Sequence, residues 1–96
     1  MRQLIVRERA RQQIRVAFDW YLARSRRQAE RFIDEVDEAI RGIESAPERY
    51  HPVRGNIRRR LLAHFPYAVY YRIHATKISV VRVLRGSQQR EKWLRG

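Results

Sequence analysis

The sequence predicts an α+β domain in two layers, an antiparallel αα-hairpin packed on one face of a small, mostly antiparallel sheet in the order β-α-α-β-β-β. Three observations carry that expectation. Apolar residues recur twice at helical spacing in the first half of the chain, three runs rich in β-branched and aromatic residues follow in the second half, and a short apolar run precedes them all. Two layers follow because a helix stripe and a sheet face must each bury against another element.

Gln3 to Val6 is the short run, read as a strand that joins the sheet. Arg7 to Ala23 reads as a helix, with Ala10, Ile14, Ala17, Phe18 and Tyr21 on one side. Ser25 and Gln28 have the form of a capping box and start a second helix. Its stripe of Ala29, Phe32, Ile33, Val36, Ile40 and Ile43 ends before Pro47. So short a connection makes the two helices antiparallel. The second helix carries Glu30, Asp34 and Glu38 on its other side, with Arg27, Arg31 and Arg41 near enough to offset their repulsion, which reads as a solvated face. Ala46 to Asn56 contains Pro47, Pro52 and Gly55 and reads as a loop.

Residues 57 to 86 read as three strands, Ile57 to His64, Tyr67 to His74 and Lys77 to Leu84. Phe65-Pro66 separates the first two, and Ala75-Thr76 leaves a two-residue connection that pairs the last two as a hairpin. Alternation puts Tyr67, Val69, Tyr71 and Ile73 on one face and Tyr70, Arg72 and His74 on the other. The same alternation groups Arg58, Arg60 and His64 opposite Ile57, Leu61 and Ala63, which suggests a core face and an arginine face left open by the helices.

The chain has 96 residues and a mass of 11.7 kDa, the size of one domain, residues 1–96, with a single modest core. Its net charge is +12, unevenly placed: residues 1–48 hold ten Arg against nine Asp and Glu, whereas residues 49–96 hold twelve Arg and Lys against Glu91 alone. Such a field attracts polyanions, whether nucleic acid, an anionic membrane or an acidic protein segment. Cysteine is absent, which excludes disulfides, thiolate catalysis and Cys-based zinc sites and suits a reducing cytoplasm. No apolar run nears the roughly 18 residues of a membrane span, and the N-terminus lacks the apolar core of a secretory signal. A soluble cytoplasmic protein is expected.

The segment ERFIDEVDEAIRGIESAPERYHPVRGNIRRRLLAHFPYAVYYRI, followed by ISVVRVLRG and a tail with REKWLRG, resembles the ParE/RelE superfamily of bacterial type II toxin-antitoxin toxins. The likeness runs from Ala10 to the end, and FPYAVYYRI and VVRVLRG are its most specific parts. It implies a RelE/ParE-like fold and a toxin of a plasmid-stabilisation system, neutralised by a partly disordered acidic antitoxin with which it forms a hetero-oligomer. No cofactor, metal or membrane is expected.

The superfamily divides by target. RelE-like members are ribosome-dependent mRNA endonucleases, and ParE-like members block DNA gyrase. Cleaving RNA requires a base, an acid and cations for the developing phosphorane charge. Arg58, Arg60, Arg72, Arg82 and Arg85 could supply the cations, and His64, His74 and Tyr70 are the candidate proton-transfer groups. On the RelE-like reading the catalytic set is Arg58, Arg60, His64, Arg72 and Arg85. RelE-like enzymes commonly carry a tyrosine or a histidine-tyrosine pair just after the last strand, and Arg85 to Gly96 holds neither. Many ParE-like toxins carry histidine after VL, where this chain has Arg85. The long second helix and the RYHPVRGNIRR and REKWLRG segments are more similar to ParE-type proteins, so a non-catalytic gyrase-binding toxin is the leading reading. Its target surface is expected at Arg85, Arg90, Lys92, Trp93 and Arg95, because arginine and aromatic groups dominate binding hot spots. Trp93 reads equally well as a lid over the sheet. An mRNA endonuclease acting at the ribosome and a non-toxic nucleic-acid-binding module are the alternatives.

Overall fold

The computed structural model describes residues 2–86, in which five strands and two helices follow the order β1 (Gln3–Val6), α1 (Glu8–Leu22), α2 (Arg26–Ser45), β2 (His51–Arg54), β3 (Ile57–Leu61), β4 (Tyr67–Ile73) and β5 (Lys77–Arg85). One sheet contains all five strands in the order β1-β5-β4-β3-β2. β1 runs parallel to β5, and the other neighbours are antiparallel. The αα-hairpin and the mostly antiparallel sheet are those expected.

Both helices bury the stripes that the sequence marks. Ala10 and Ala17 of α1 and Ala29, Phe32, Val36, Ala39 and Ile43 of α2 are buried. Ile14, Phe18, Tyr21, Ile33 and Ile40 pack against this core from its margin. The sheet contributes Val69, Tyr71, Ile78, Val80 and Val83 to it. Tyr21, Phe32 and Phe65 form a ring cluster with centroids 5.0–5.5 Å apart, which joins the hairpin to the loop before β4. Burying a side chain the size of Phe32 or Ile43 is worth about 1.5–3 kcal/mol, so this contact holds the layers together. Ser25 caps α2 by accepting the Gln28 N–H at 3.3 Å. Half of the capping box forms, because the Ser25 N–H is already bonded to Tyr21 O at 2.7 Å.

Three expectations are corrected. The stretch Ala46 to Asn56 is more than a loop: Pro47–Arg49 makes a 3-10 turn and His51–Arg54 is an edge strand. Proline is tolerated on an edge, where Pro52 lacks no ladder donor that the sheet needs. β3 ends at Leu61, before His64.

The third correction concerns the faces. β3 pairs with β4 through Ile57↔Arg72, Arg58↔Tyr71, Arg59↔Tyr70, Arg60↔Val69 and Leu61↔Ala68. Opposed residues share a face, so Arg58 and Arg60 point to the helices while Ile57 and Leu61 point away, the reverse of the expected assignment. Ile57, Ala68 and Tyr70 form a second small cluster on the face away from the helices, edged by Val53, Val81 and Leu84. That face is therefore part apolar. A bulge opposite Tyr70 and Tyr71 gives β5 one extra residue, Val81. It lets Val80 and Val83 both face the helical core, which strict alternation forbids.

Candidate target-binding surface

The arginines that the sequence groups together go to different places. Arg60 crosses the last turns of α2, donating to Glu38 O at 3.1 Å, Ala39 O at 3.5 Å and the Tyr50 hydroxyl at 3.2 Å. It passes over Gly42, where a Cβ would displace the Arg60 guanidinium and the Tyr50 hydroxyl. Arg58 donates to Glu48 O at 3.2 Å and Tyr50 O at 2.7 Å. Cations suit the carbonyl-rich C-terminal end of a helix, and these two brace α2 and the turn after it against the sheet. Tyr71 lies opposite Arg58 and donates its hydroxyl to Pro47 O. Burial, against the pull of Arg58, pushes its phenol up to about 12.

The candidate proton-transfer groups are also engaged elsewhere. Glu35 of α2 accepts the His64 backbone N–H at 2.9 Å and meets its ring Nδ1 at 2.6 Å, which fastens the 62–66 loop to the helix. Burial alone raises the Glu35 carboxyl, but the His64 N–H, the His64 ring and Arg31 outweigh it and hold the group below its ordinary value. His74 reaches Ser79 Oγ at 3.3 Å. Tyr70 is fully buried in the smaller cluster.

Arg72, on the face away from the helices, donates to Asn56 Oδ1 at 3.1 Å. Arg82 shares that face, opposite Tyr70. Burial, together with the like charges of Arg9 and Arg72, lowers Arg82 from the usual arginine value. The set Arg58, Arg60, His64, Arg72 and Arg85 is thus divided between two faces and the end of β5. Among the described residues no group of three or more His, Cys, Asp or Glu could hold a metal ion, and no helix is long and apolar enough to cross a membrane.

Arg85 stands apart from the braced arginines. It is exposed, with its guanidinium 5.8 Å from the Trp20 ring centroid, and Arg24 covers the same ring at 3.6 Å. Trp20 is 44% exposed and Val16, one turn before it, 69%. A tryptophan near two arginines and open to solvent is the composition of a binding hot spot. The sequence reading did not select Trp20. Its signal was the spacing of Val16 and Trp20, i and i+4, off the core stripe of α1. Arg90, Lys92, Trp93 and Arg95, the remainder of the expected target surface, lie outside the described residues.

The described residues form a basic two-layer α+β domain with an exposed Arg-Trp-Arg cluster at the end of β5. The chain belongs to the ParE toxin family, described as the ParE toxin of the type II toxin-antitoxin system parDE, which it matches over residues 4–90. A solved structure of the chromosomal ParDE TA system from P. aeruginosa is similar to it with a TM-score of 0.80, covering 91% of this chain and 98% of that one at 16% identity. At that identity the likeness speaks for the fold. Comparison with curated proteins finds no match.

Proposed function

We propose that this ParE-family toxin acts in the cytoplasm by binding DNA gyrase, without cleaving nucleic acid, and is held inactive by an acidic cognate antitoxin. The Arg85–Trp20–Arg24 cluster carries the reading: it is an exposed aromatic and cationic anchor, whereas Arg58, Arg60, His64 and His74 are bound to carbonyls, Glu35 and Ser79. Family membership supports the toxin role, and the net charge of +12 supports an acidic antitoxin. Arg85 and Trp20, extended by Arg90, Lys92, Trp93 and Arg95 of the tail, form the proposed target surface.

A supercoiling assay with purified toxin tests the reading. Inhibition of gyrase that antitoxin reverses is expected. Unchanged supercoiling at micromolar toxin overturns it, and new 3' ends on translated mRNA after induction would establish the endonuclease in its place.

A further inference from the structure

The two helices pack on one face of the sheet, against Val69, Tyr71, Ile78, Val80 and Val83. Among the described residues, no helix or strand lies across the other face. That face nonetheless holds a buried cluster, in which Tyr70 is 0% exposed, Ala68 1% and Ile57 7%. Side chains stand up from a sheet, and those on neighbouring strands flank a ring at its sides. A tyrosine that loses all contact with water there needs a layer above it.

The chain has a segment placed to supply that layer. β5 ends at Arg85, and Gly86 takes a φ of +74°, the left-handed conformation that turns a chain sharply. Gly86 also lines an apolar notch of about 230 Å³ with Leu61, Pro66, Ala68 and Leu84. Ala68 belongs to the buried cluster and Leu84 edges it, so apolar surface is continuous from Tyr70 to the point where the chain leaves the sheet. SQQREKWLRG follows at residues 87–96, with Trp93 and Leu94 as its large apolar side chains. Arg82, opposite Tyr70, lies about 13 Å along β5 from Gly86. The chain from Gly86 to Trp93 extends to about 23 Å, which leaves length for a reversal.

Charge agrees with this placement. The five strands carry no acidic residue, and the face presents Arg59, Arg72 and Arg82 around Tyr70. Glu91, the one acid from residue 49 to residue 96, stands two positions before Trp93. Arg82 is lowered chiefly by burial, as a layer over this face would cause.

We propose that residues 87–96 fold back as a strap across the face away from the helices, with Trp93 and Leu94 on the Ile57–Ala68–Tyr70 cluster and Glu91 among the arginines. A second small core then closes on that side. Trp93 joins the target surface as the anchor that holds Arg90, Lys92 and Arg95 to the body of the protein, and not as a free contact. The strap needs only the chain itself and stands apart from the gyrase reading.

The test uses the full chain carrying Trp20→Phe, in which Trp93 is the remaining tryptophan. Trp93 emission lies to the blue of its position in urea, acrylamide quenches it less than in urea, and nuclear Overhauser contacts join the indole to the Tyr70 ring. Trp93→Ala in the otherwise native chain lowers the melting temperature by about 4–8 °C at a matched circular dichroism spectrum. A Trp93 as open to acrylamide as in urea, or an unchanged melting temperature, overturns the strap and leaves the stems of Arg59 and Arg82 as the cover of Tyr70. Indole contacts to the helical face overturn it too, as do contacts that fade on dilution, which mark a second copy as the occupant. Gyrase inhibition is read in a separate assay, so the two readings fail independently.

Discussion

Arg60 and Arg85 are the same residue type on strands of one sheet, yet their surroundings give them opposite roles. Arg60 faces the helices, and its guanidinium is divided among two α2 carbonyls and a tyrosine hydroxyl. Arg85 lies at the end of β5, exposed, with its plane near Trp20 and the α1 cleft beside it. The difference teaches that an arginine-rich strand is not by itself a binding face. Register decides which arginines meet carbonyls and which meet solvent.

The comparison breaks if Arg60 and Arg85 respond alike. Arg60→Ala removes charge-assisted hydrogen bonds and the packing of its stem, so stability falls by about 2–3 kcal/mol in urea denaturation. Arg85→Ala changes stability by no more than about 0.5 kcal/mol, as exposed substitutions do. Trp20→Ala sharpens the other side of the comparison: loss of a hot-spot aromatic weakens gyrase inhibition by about 2 kcal/mol, near 30-fold, in the supercoiling assay.

Gly42 tests how closely Arg60 is built into the helix. Alanine is the better helix former by about 0.8–1.0 kcal/mol, but its Cβ collides with the Arg60 guanidinium. Gly42→Ala therefore destabilises the native chain by about 0.5–1 kcal/mol and stabilises the Arg60→Ala variant by a similar amount, a reversal that a double-mutant cycle measures. The Tyr50 hydroxyl, also close to that Cβ, is freed to move once its Arg60 partner is gone.

The smallest effect is that of pH. Glu35 has a lowered pKa when folded, so its contribution is present above the ordinary carboxylate range and is lost as pH falls through the folded value. Melting temperature should drop less between about pH 6 and pH 3 in Glu35→Gln than in the native chain. An identical drop would show that the His64 clamp adds nothing to pH-dependent stability.

Much of the fold was legible before any coordinates. The stripes of α1 and α2, the cap at Ser25, the β4–β5 hairpin across Ala75-Thr76 and the core face of β4 were all read correctly, because each depends on periodicity or turn chemistry within a few residues. The edge strand β2 was missed, since Pro52 and Gly55 in a short polar stretch look the same whether or not β3 lies alongside. The site was less legible. Arg85 was selected from its place at the end of the last strand run, but Trp20 was not, because the Val16–Trp20 spacing off the stripe of α1 does not by itself separate an exposed anchor from a packed ring.

By itself, then, the amino-acid sequence determined the kind and order of the elements, the buried stripes of both helices and the strongly basic second half. Tertiary structure decided the face of every β3 side chain, because a shift of one residue in pairing turns the whole strand over and the loop from Leu62 to Pro66 sets that shift. It also decided that β1 stops at Val6, opposite Val80, since the helix begins where the strand partner would have continued. The half of β5 that has no strand beside it among the described residues exists only through that ending.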